Sequence, residues 1–451
     1  MKRRAFLKRY AATAAAGIGA YSTLGGLSLT SALAQSSDYR ALVCVFLFGG
    51  NDSFNMVVPT DEQAHSRYAN ARRNLTVDRG QLLPLDAVAS DGVRYGLHPS
   101  MPEMRDLFQQ GNMSVVANVG PLLAPTSRDD FLNNRVPLPP RLFSHNDQQD
   151  FWQSLELDRL QATGWAGRMA DALGSVNDNN QLSLNISMAG SNLMQTGNVS
   201  IPYILSSDGV VAPSYESLLS GNARATRRSD ALQLLMDRDA GHLLGNQYRT
   251  TLKRATELSE QIGGTLNRSA VPNTGFPQTA LGDTLQMVAR MISSREALGL
   301  RRQVFFVGFG GWDTHGGQLS RHPALLRNLS QSLAAFYRAT QQFGLAEQVT
   351  TFTAADFGRT LTSNGDGSDH GWGGHQLVMG GAVRGQSIVG QMPVIEIDGP
   401  SDSGQGRIIP TLAVDQYCAT LARWFGLSDS NIDDVFPNLR QFSQRDLGFL
   451  V

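Results

Sequence analysis

An aspartate and a histidine stand two positions apart where an apolar run gives way to glycines. Residues 304–318 read VFFVGFGGWDTHGGQ, so Asp313 and His315 follow a run that is typical of a buried strand. A turn alone could be built from Gly, Asn or Ser. Carboxylate oxygens and imidazole nitrogens are ligands of divalent metals. We therefore predict that Asp313 and His315 bind a metal at the end of a strand.

Further carboxylates and imidazoles follow other apolar runs. The runs at 41–50 and 348–358 and the segment DGSDHGWGGH supply them. Aspartates at strand ends are also common helix N-caps, and for Asp52 and Asp356 both readings stay open. Ligands from several strand ends, set in glycine-rich loops, indicate a site for one or two divalent ions, with zinc or manganese favoured over calcium or magnesium. The predicted metal ligands are Asp52, Asp313, His315, Asp356, His370 and His375, with Asp369 and Arg359 beside them.

The segment FSHNDQQDFW (143–152) is a second candidate for chemistry. Ser144 and Asp147 form the S-x-x-D pattern of a helix N-cap, and capping alone would explain both. A serine at a helix N-terminus also lies in a field that favours anions, so Ser144 is a candidate nucleophile if a metal reaches it. His145 is a candidate ligand or acid–base group. Ser53, which follows Asp52, is a weaker nucleophile candidate.

Several common sites are excluded by their missing motifs. The sequence holds no G-x-S-x-G, no G-x-G-x-x-G after the first strand and no G-x-x-x-x-G-K-[ST]. It also holds no C-x-P-x-R or S-x-P-x-R, the motif from which a sulfatase forms its formylglycine. An α/β-hydrolase triad, dinucleotide binding and P-loop binding are therefore not indicated.

Strand and helix patterns alternate along the chain. Apolar runs at 41–50, 113–120, 303–311 and 348–358 predict buried parallel strands, and helical periodicity is found at 101–111, 322–344 and 411–427. This alternation predicts an α/β fold with a large, doubly wound, mostly parallel sheet flanked by helices. We interpret 180–300 as a partly helical insertion or cap, with short strands near 182–187 and 200–205 followed by long helices.

Composition and the N-terminus bear on partners and location. A net charge of −1 over 451 residues argues against nucleic acid as a partner, and two cysteines cannot form a disulfide framework. Residues 1–34 combine Arg3-Arg4, a weakly apolar run and Ala32-Leu33-Ala34, which predicts a twin-arginine export signal. We therefore expect a periplasmic or secreted domain over 35–451. The twin-arginine translocase would be its partner during export, and no transmembrane segment is predicted in the mature chain.

The motifs together resemble a known family. LVCVFLFGGNDSFNMVVP, SHNDQQDFW, GFGGWDTHG, ADFGRT and DHGWGGH, with the twin-arginine leader, are similar to the bacterial family called domain of unknown function 1501, which belongs to the alkaline phosphatase and sulfatase superfamily. The resemblance implies that large α/β fold, two divalent metals and a hydroxyl or formylglycine nucleophile. It implies that Asp52 binds one metal, that Asp313 and His315 bind the other, that Asp356 and His375 or His370 complete the set, and that Ser144 occupies the nucleophile position.

Two departures from the superfamily pattern affect these roles. Asp313 and His315 are separated by one residue instead of three, and Asp356 is followed by Phe357 instead of a histidine.

The leading hypothesis is an exported metal-dependent hydrolase of phosphate or sulfate esters, small or polysaccharide, with Arg359 neutralising the anionic substrate. The alternatives are a catalytically inactive secreted binding or assembly protein that keeps the fold, and an envelope enzyme that modifies carbohydrate.

Overall fold

The apolar run at 41–50 forms the central strand of a large sheet in the computed structural model of the protein. The structure describes residues 39–156, 163–179, 181–210 and 241–451, with the single positions 231, 234, 237 and 238. The predicted signal at 1–34 lies outside the described residues. The fold below is that of the unit Arg40–Val451.

The strands within the described residues are numbered in chain order. They are β1 Arg40–Leu47, β2 Val57–Pro59, β3 Leu83–Val88, β4 Arg94–Leu97, β5 Met113–Gly120, β6 Asn185–Ser187, β7 Tyr203–Ser206, β8 Gly209–Val210, β9 Arg302–Phe309, β10 Val349–Ala355, β11 Arg359–Ser363, β12 Ser368–His370, β13 Gly374–Met379, β14 Ser387–Val389 and β15 Leu412–Ala413. The helices are α1 Ser53–Met56, α2 Glu62–Arg72, α3 Pro102–Gln109, α4 Arg128–Leu132, α5 His145–Ser154, α6 Trp165–Leu173, α7 Leu243–Arg268, α8 Ala280–Ser293, α9 Gln318–Gln342, α10 Val414–Phe425 and α11 Asp429–Val435.

Among the described residues, ten strands form the main sheet, in the order β14-β5-β13-β10-β1-β9-β6-β7-β8, with β15 paired to β5. The strands β10, β1, β9, β6 and β7 are mutually parallel. Nearly every residue of β1, β5 and β10 is buried, as expected for strands covered by helices on both faces. The predicted α/β fold with a large, mostly parallel sheet is confirmed.

One central strand departs from the parallel arrangement. β13 lies between β5 and β10 and runs antiparallel to both. The segment between β10 and β13 contains the two-stranded sheet β11-β12 and no helix. A parallel return needs a crossover, usually a helix, so this connection brings the chain back in the opposite direction.

The three predicted helices are present as α3, α9 and α10. The last of them packs on the sheet, where the Tyr417 hydroxyl donates to the carbonyl of Thr353 at 3.1 Å. α9 begins at Gln318, four residues before the predicted start, and contains Pro323. No helix in the described part of the chain has the length and apolar character needed to cross a membrane.

The segment 180–300 contributes to the sheet as well as adding helices. Its strands β6, β7 and β8 extend the sheet beyond β9, and α7 and α8 follow them. Residues 211–230 of the predicted insertion lie outside the described residues. A cap over the site therefore stays a prediction.

Gly167 lies in α6, and replacing it tests how closely this helix packs against its neighbours. A Cβ built on Gly167 would lie 2.1 Å from the backbone carbonyl carbon of Thr196. We expect Gly167→Ala to lower the free energy of unfolding by about 1–3 kcal/mol, because backbone must move to admit the methyl group. Urea unfolding measures this change.

Gly264, in α7, is the matched control for Gly167→Ala. Its nearest neighbour for an added Cβ is a guanidinium nitrogen of Arg268 at 3.6 Å. Gly264→Ala should leave stability unchanged or raise it by up to about 1 kcal/mol, since alanine favours the helix. Equal destabilisation by the two substitutions would contradict the close packing assigned to Gly167.

Candidate functional site

The carboxyl ends of β1, β9 and β10 meet at one edge of the sheet, where ligands of open α/β sheets bind. The loops after these strands pack against one another with glycine at the contact. Gly49 has a φ of +113°, and a Cβ there would lie 2.3 Å from the backbone nitrogen of Asp313. Its own nitrogen donates to a carboxylate oxygen of Asp356 at 3.2 Å. The glycine thus brings the ends of all three strands into contact.

The carboxylate of Asp313 lies at the centre of this edge. Three histidine rings point a side-chain nitrogen at it, and each comes from a different segment of the chain. The Nε2 atom lies 3.5 Å from an Asp313 oxygen in His145, 3.2 Å in His315 and 3.4 Å in His370. Ligand atoms of His145, Asp313 and His370 all lie within 4.8 Å of one another.

Each of these rings is held from behind by a hydrogen-bond acceptor. The Nδ1 of His145 is 2.6 Å from Asp356, that of His315 is 2.9 Å from Asp369, and that of His370 is 2.7 Å from the carbonyl of Phe143. Carboxylates and carbonyls accept, so Nδ1 is assigned as the donor in all three rings. In a neutral ring the lone pair is then on Nε2, the atom that faces Asp313.

The Nε2 atoms of His315 and His370 are only 2.8 Å apart. With both rings neutral and both Nδ1 atoms donating, two lone pairs face each other, which is unfavourable. A cation between these nitrogens and Asp313, or a proton on one ring, removes the repulsion. Imidazoles oriented by carboxylate or carbonyl acceptors are typical of metal ligands. The donor set of three imidazoles and a carboxylate therefore fits a divalent metal such as zinc or manganese.

A buried arginine compensates the charge of Asp313. Arg359 is fully buried and donates to Asp313 at 2.7 Å, to the carbonyl of Gly49 at 3.2 Å and to the carbonyl of Ser368. Partial burial of Asp313 opposes its ionisation, but the hydrogen bond and charge of Arg359 and the nearby histidines lower its pKa on balance. Asp313 is therefore an anion at neutral pH.

The environments of His145 and His370 shift the pKa values of these two rings in opposite directions. The hydrogen bond to Asp356 raises the pKa of His145, against the smaller effect of its burial. Burial lowers the pKa of His370, and this outweighs its bond to the Phe143 carbonyl. His370 is thus favoured as a neutral ligand, whereas His145 holds a proton to higher pH than an ordinary histidine.

The loop before α5 places His145 and the Phe143 carbonyl. Arg141 and Phe143 both adopt positive φ, 49° and 74°, a region that residues other than glycine seldom occupy. Gln149, one turn along α5, donates to the same Asp356 oxygen as His145, at 2.9 Å. α5 therefore supplies both His145 and Gln149 as hydrogen-bond partners of Asp356.

Asp52 lies outside this group of contacts. Its side chain and that of Arg72 are both 0% exposed and form an ion pair, and Gln318 donates to the same oxygen. The link from Asp52 to the site is indirect, because Gln318 accepts from the Ser368 hydroxyl at 2.6 Å and Ser368 accepts from Arg359. Asp52 thus supports the arginine that holds Asp313.

His375 and Ser144 also make contacts of their own. His375 lies on β13, where its Nδ1 accepts from the backbone of Asn118 at 3.1 Å and its ring meets Phe54 edge-on at 5.2 Å. Burial lowers the pKa of His375 to about 3, so its ring is neutral. The Ser144 hydroxyl donates to Asp147 at 2.6 Å. Neither side chain has a hydrogen bond to the three histidines or Asp313 among the described contacts.

The structure thus brings some of the sequence candidates together and separates others. Asp313, His145, His315, His370, Asp356 and Arg359 form one network, whereas Asp52, His375 and Ser144 bond elsewhere. Sequence reasoning gave no role to Asp369, whose place directly before His370 was the available signal. It also missed Arg72 and Gln318, for which the sequence offers no signal, since both occur in polar stretches of helices.

The comparisons with known proteins concern family and fold. The family described as "Protein of unknown function (DUF1501)" matches residues 39–435. A comparison with curated proteins finds no match. Among solved structures, wild-type alkaline phosphatase PafA is 11% identical and has a TM-score of 0.31, with 72% of this chain and 63% of that one covered. This chain therefore spans less than two thirds of the length of that enzyme.

Two further solved structures show similarity of the same degree. PsFucS1 sulfatase from Pseudoalteromonas sp. is 9% identical, with a TM-score of 0.32 and 89% of this chain and 71% of that one covered. Ps i-CgsB in complex with k-i-k-neocarrahexaose is 8% identical, with a TM-score of 0.34 and coverages of 90% and 77%. Similarity at this level carries no argument about activity, which must come from the site.

The buried pair of Asp52 and Arg72 generates a stability prediction. Asp52→Ala leaves the Arg72 guanidinium buried without its counter-charge, so we expect a loss of about 3–5 kcal/mol in the free energy of unfolding. Denaturant unfolding of the full chain measures it.

The control for Asp52→Ala is Asp61→Ala. Asp61 pairs with Arg94 at 3.0 Å, but these side chains are 31% and 68% exposed. Water screens such a pair, and the carboxylate also accepts from the backbone nitrogen of Arg94 at 2.8 Å, so we expect a loss of no more than about 1 kcal/mol. If the two substitutions destabilise the protein equally, the structural importance given to the Asp52–Arg72 pair is refuted.

Proposed function

We propose that this chain, which belongs to the DUF1501 family, is a metal-dependent hydrolase of phosphate or sulfate esters. The observation that carries the proposal is the convergence of three imidazole Nε2 atoms on the carboxylate of Asp313. An ionised carboxylate and three imidazoles, each oriented by its own acceptor, form a ligand set for one divalent cation, which would displace any proton from the Nε2 atoms on binding. The proposed ligands are Asp313, His145, His315 and His370.

This ligand set is narrower than the one expected from sequence. Asp356 and Asp369 become the acceptors that orient His145 and His315, and Asp52 and His375 take no part in binding. One ion, zinc or manganese, is proposed, where the sequence allowed one or two. When bound, such an ion polarises ester oxygens and lowers the pKa of a nucleophile.

Arg359 is proposed to bind Asp313 and not the substrate. Its side chain is fully buried, and its hydrogen bonds go to Asp313, Gly49 and Ser368. It therefore holds Asp313 in place and balances its charge instead of contacting substrate. This is the role proposed for it in place of the substrate contact expected from sequence.

Ser144 is the proposed nucleophile. It directly precedes His145, and its hydroxyl already donates to Asp147 at 2.6 Å, so a carboxylate is positioned to accept the proton. The Ser144 oxygen would form a bond to phosphorus or sulfur as the bond to the alcohol breaks, and water would then release phosphate or sulfate. Direct attack by water is the alternative route, and Ser144→Ala separates the two.

The cellular setting is part of the proposal. The adjacent arginines and the small-x-small site in residues 1–34 support export of the folded protein by the twin-arginine translocase, to the periplasm or beyond. Substrates would then be small or polysaccharide esters outside the cytoplasm. An inactive binding protein is the second candidate, favoured by one observation: the arginine nearest to Asp313 has no exposed surface for a substrate.

Metal content and hydrolysis test the proposal together. Full-length protein loaded with zinc or manganese should bind one ion per chain and hydrolyse p-nitrophenyl phosphate or sulfate. His370→Ala should lose both the ion and the activity, because it removes an Nε2 ligand. Ser144→Ala should keep the ion and lose activity by about 10³-fold or more, the order expected for a missing nucleophile.

Ser127→Ala is the matched control for Ser144→Ala. Ser127 also precedes a helix, α4, and its hydroxyl also bonds the aspartate three residues on. The Ser127→Ala variant should hydrolyse both esters at the wild-type rate. A protein that binds no divalent ion, or a His370→Ala variant that retains metal and activity, contradicts the metal site. A protein that binds the ion but hydrolyses neither ester supports the inactive alternative.

A further inference from the structure

A second arginine, Arg407, contacts the site at Phe143 and at the backbone of His370. Its guanidinium lies over the ring of Phe143, 4.5 Å from the ring centroid. Its Nε donates to the backbone carbonyl of His370 at 3.2 Å. Arg407 therefore touches both the residue that orients His370 and the backbone of His370 itself.

The charge of Arg407 is not used within the described part of the protein. Two other arginines of this edge have carboxylate partners: Arg359 has Asp313, and Arg141 lies 3.6 Å from Asp147. A third, Arg321, uses its Nη groups on the carbonyls of Gly311 and Gly316. In the described part of the chain, Arg407 forms no ion pair, and its only side-chain hydrogen bond is the one from Nε. The two Nη groups are left to bind something else.

The backbone around Arg407 is fixed, so the guanidinium is held in place before any ligand arrives. The nitrogen and hydroxyl of Ser403 both donate to the Arg407 carbonyl at 2.9 Å. The preceding residue, Gly406, has a φ of +75°, and a Cβ there would lie 2.9 Å from Leu361 on β11. Stacking on Phe143 then limits the rotation of the side chain.

We propose that Arg407 is a substrate-binding residue whose Nη groups take a phosphoryl or sulfuryl group beside the metal ligands. A guanidinium with Nε already bonded presents two parallel donors, the geometry that matches two oxygens of such an anion. Asp313, Asp356 and Asp369 carry three negative charges, which Arg359 and the proposed divalent ion together only balance, so a bound anion would be stabilised by a further positive charge. This inference rests on the proposed function and names the group that recognises its substrate.

Inorganic phosphate is the probe that tests this role, measured by calorimetry on the zinc-loaded full chain. We expect Arg407→Gln to weaken phosphate binding by about 10-fold or more, the value of a charged hydrogen-bond pair, with zinc content unchanged. The phosphate affinity of Arg407→Lys should lie between those of the wild type and Arg407→Gln, because lysine keeps the charge and lacks the paired donors. Inorganic sulfate, measured in parallel, shows which anion the site prefers.

Arg338→Gln is the matched control for the substitutions of Arg407. Arg338 also donates its Nε to a backbone carbonyl, that of Thr274 at 3.0 Å, and forms no ion pair in the described part of the chain. It lies away from the site and should leave phosphate affinity unchanged. If Arg407→Gln fails to fold or loses zinc, the folded Arg407→Lys protein decides: weaker phosphate binding supports the role and wild-type binding overturns it.

The outcomes also separate this inference from the proposed function. Phosphate affinity that depends on Arg407 without hydrolysis of p-nitrophenyl phosphate keeps Arg407 as an anion receptor and removes the hydrolase. Hydrolysis with a phosphate affinity that is the same in wild type and Arg407→Gln keeps the hydrolase and overturns the role of Arg407. A zinc-loaded wild-type protein that binds no phosphate also overturns it.

Discussion

Three imidazole rings face one carboxylate because each ring is held by an acceptor behind it. Without Asp356, Asp369 and the Phe143 carbonyl, the rings could turn and bond one another through protons. With those acceptors in place, the lone pairs of three Nε2 atoms point inward to Asp313, and two of these nitrogens lie 2.8 Å apart. Such an arrangement is unfavourable on its own and favourable around a cation. The chemistry proposed for this protein depends on that constraint.

The constraint depends in turn on charges buried far from water. Arg359 holds Asp313 from the protein side, Ser368 and Gln318 connect it to Asp52, and Asp52 is paired with Arg72. Buried ions are costly unless each finds its partner, so the network is stable only when complete. Asp52 therefore stabilises the site without belonging to the proposed ligand set. Arg407 is partly exposed and forms no ion pair with any residue that the structure describes.

Much of the fold follows from local sequence, whereas the contacts of single polar residues do not. Continuous apolar runs identify β1, β5, β9 and β10 because strands buried on both faces need them. The ion pair of Asp52 could not be predicted, because Arg72 ends a polar helix, EQAHSRYANAR, that shows no sign of burial. His375 seemed to belong to a loop, but a connection without a helix returns the chain as β13 and buries its ring. Asp313 and His315, picked out by their place after an apolar run, do lie together at 3.2 Å after β9, while their binding of a metal stays a prediction.

Anomalous diffraction at the zinc edge, from crystals of the zinc-loaded full chain, tests the central claim most directly. The account predicts one strong peak enclosed by the Nε2 atoms of His145, His315 and His370 and by Asp313, with metal–ligand distances of about 2.0–2.2 Å. A saturated crystal with no peak at this position, or with its only peak elsewhere, would contradict the account.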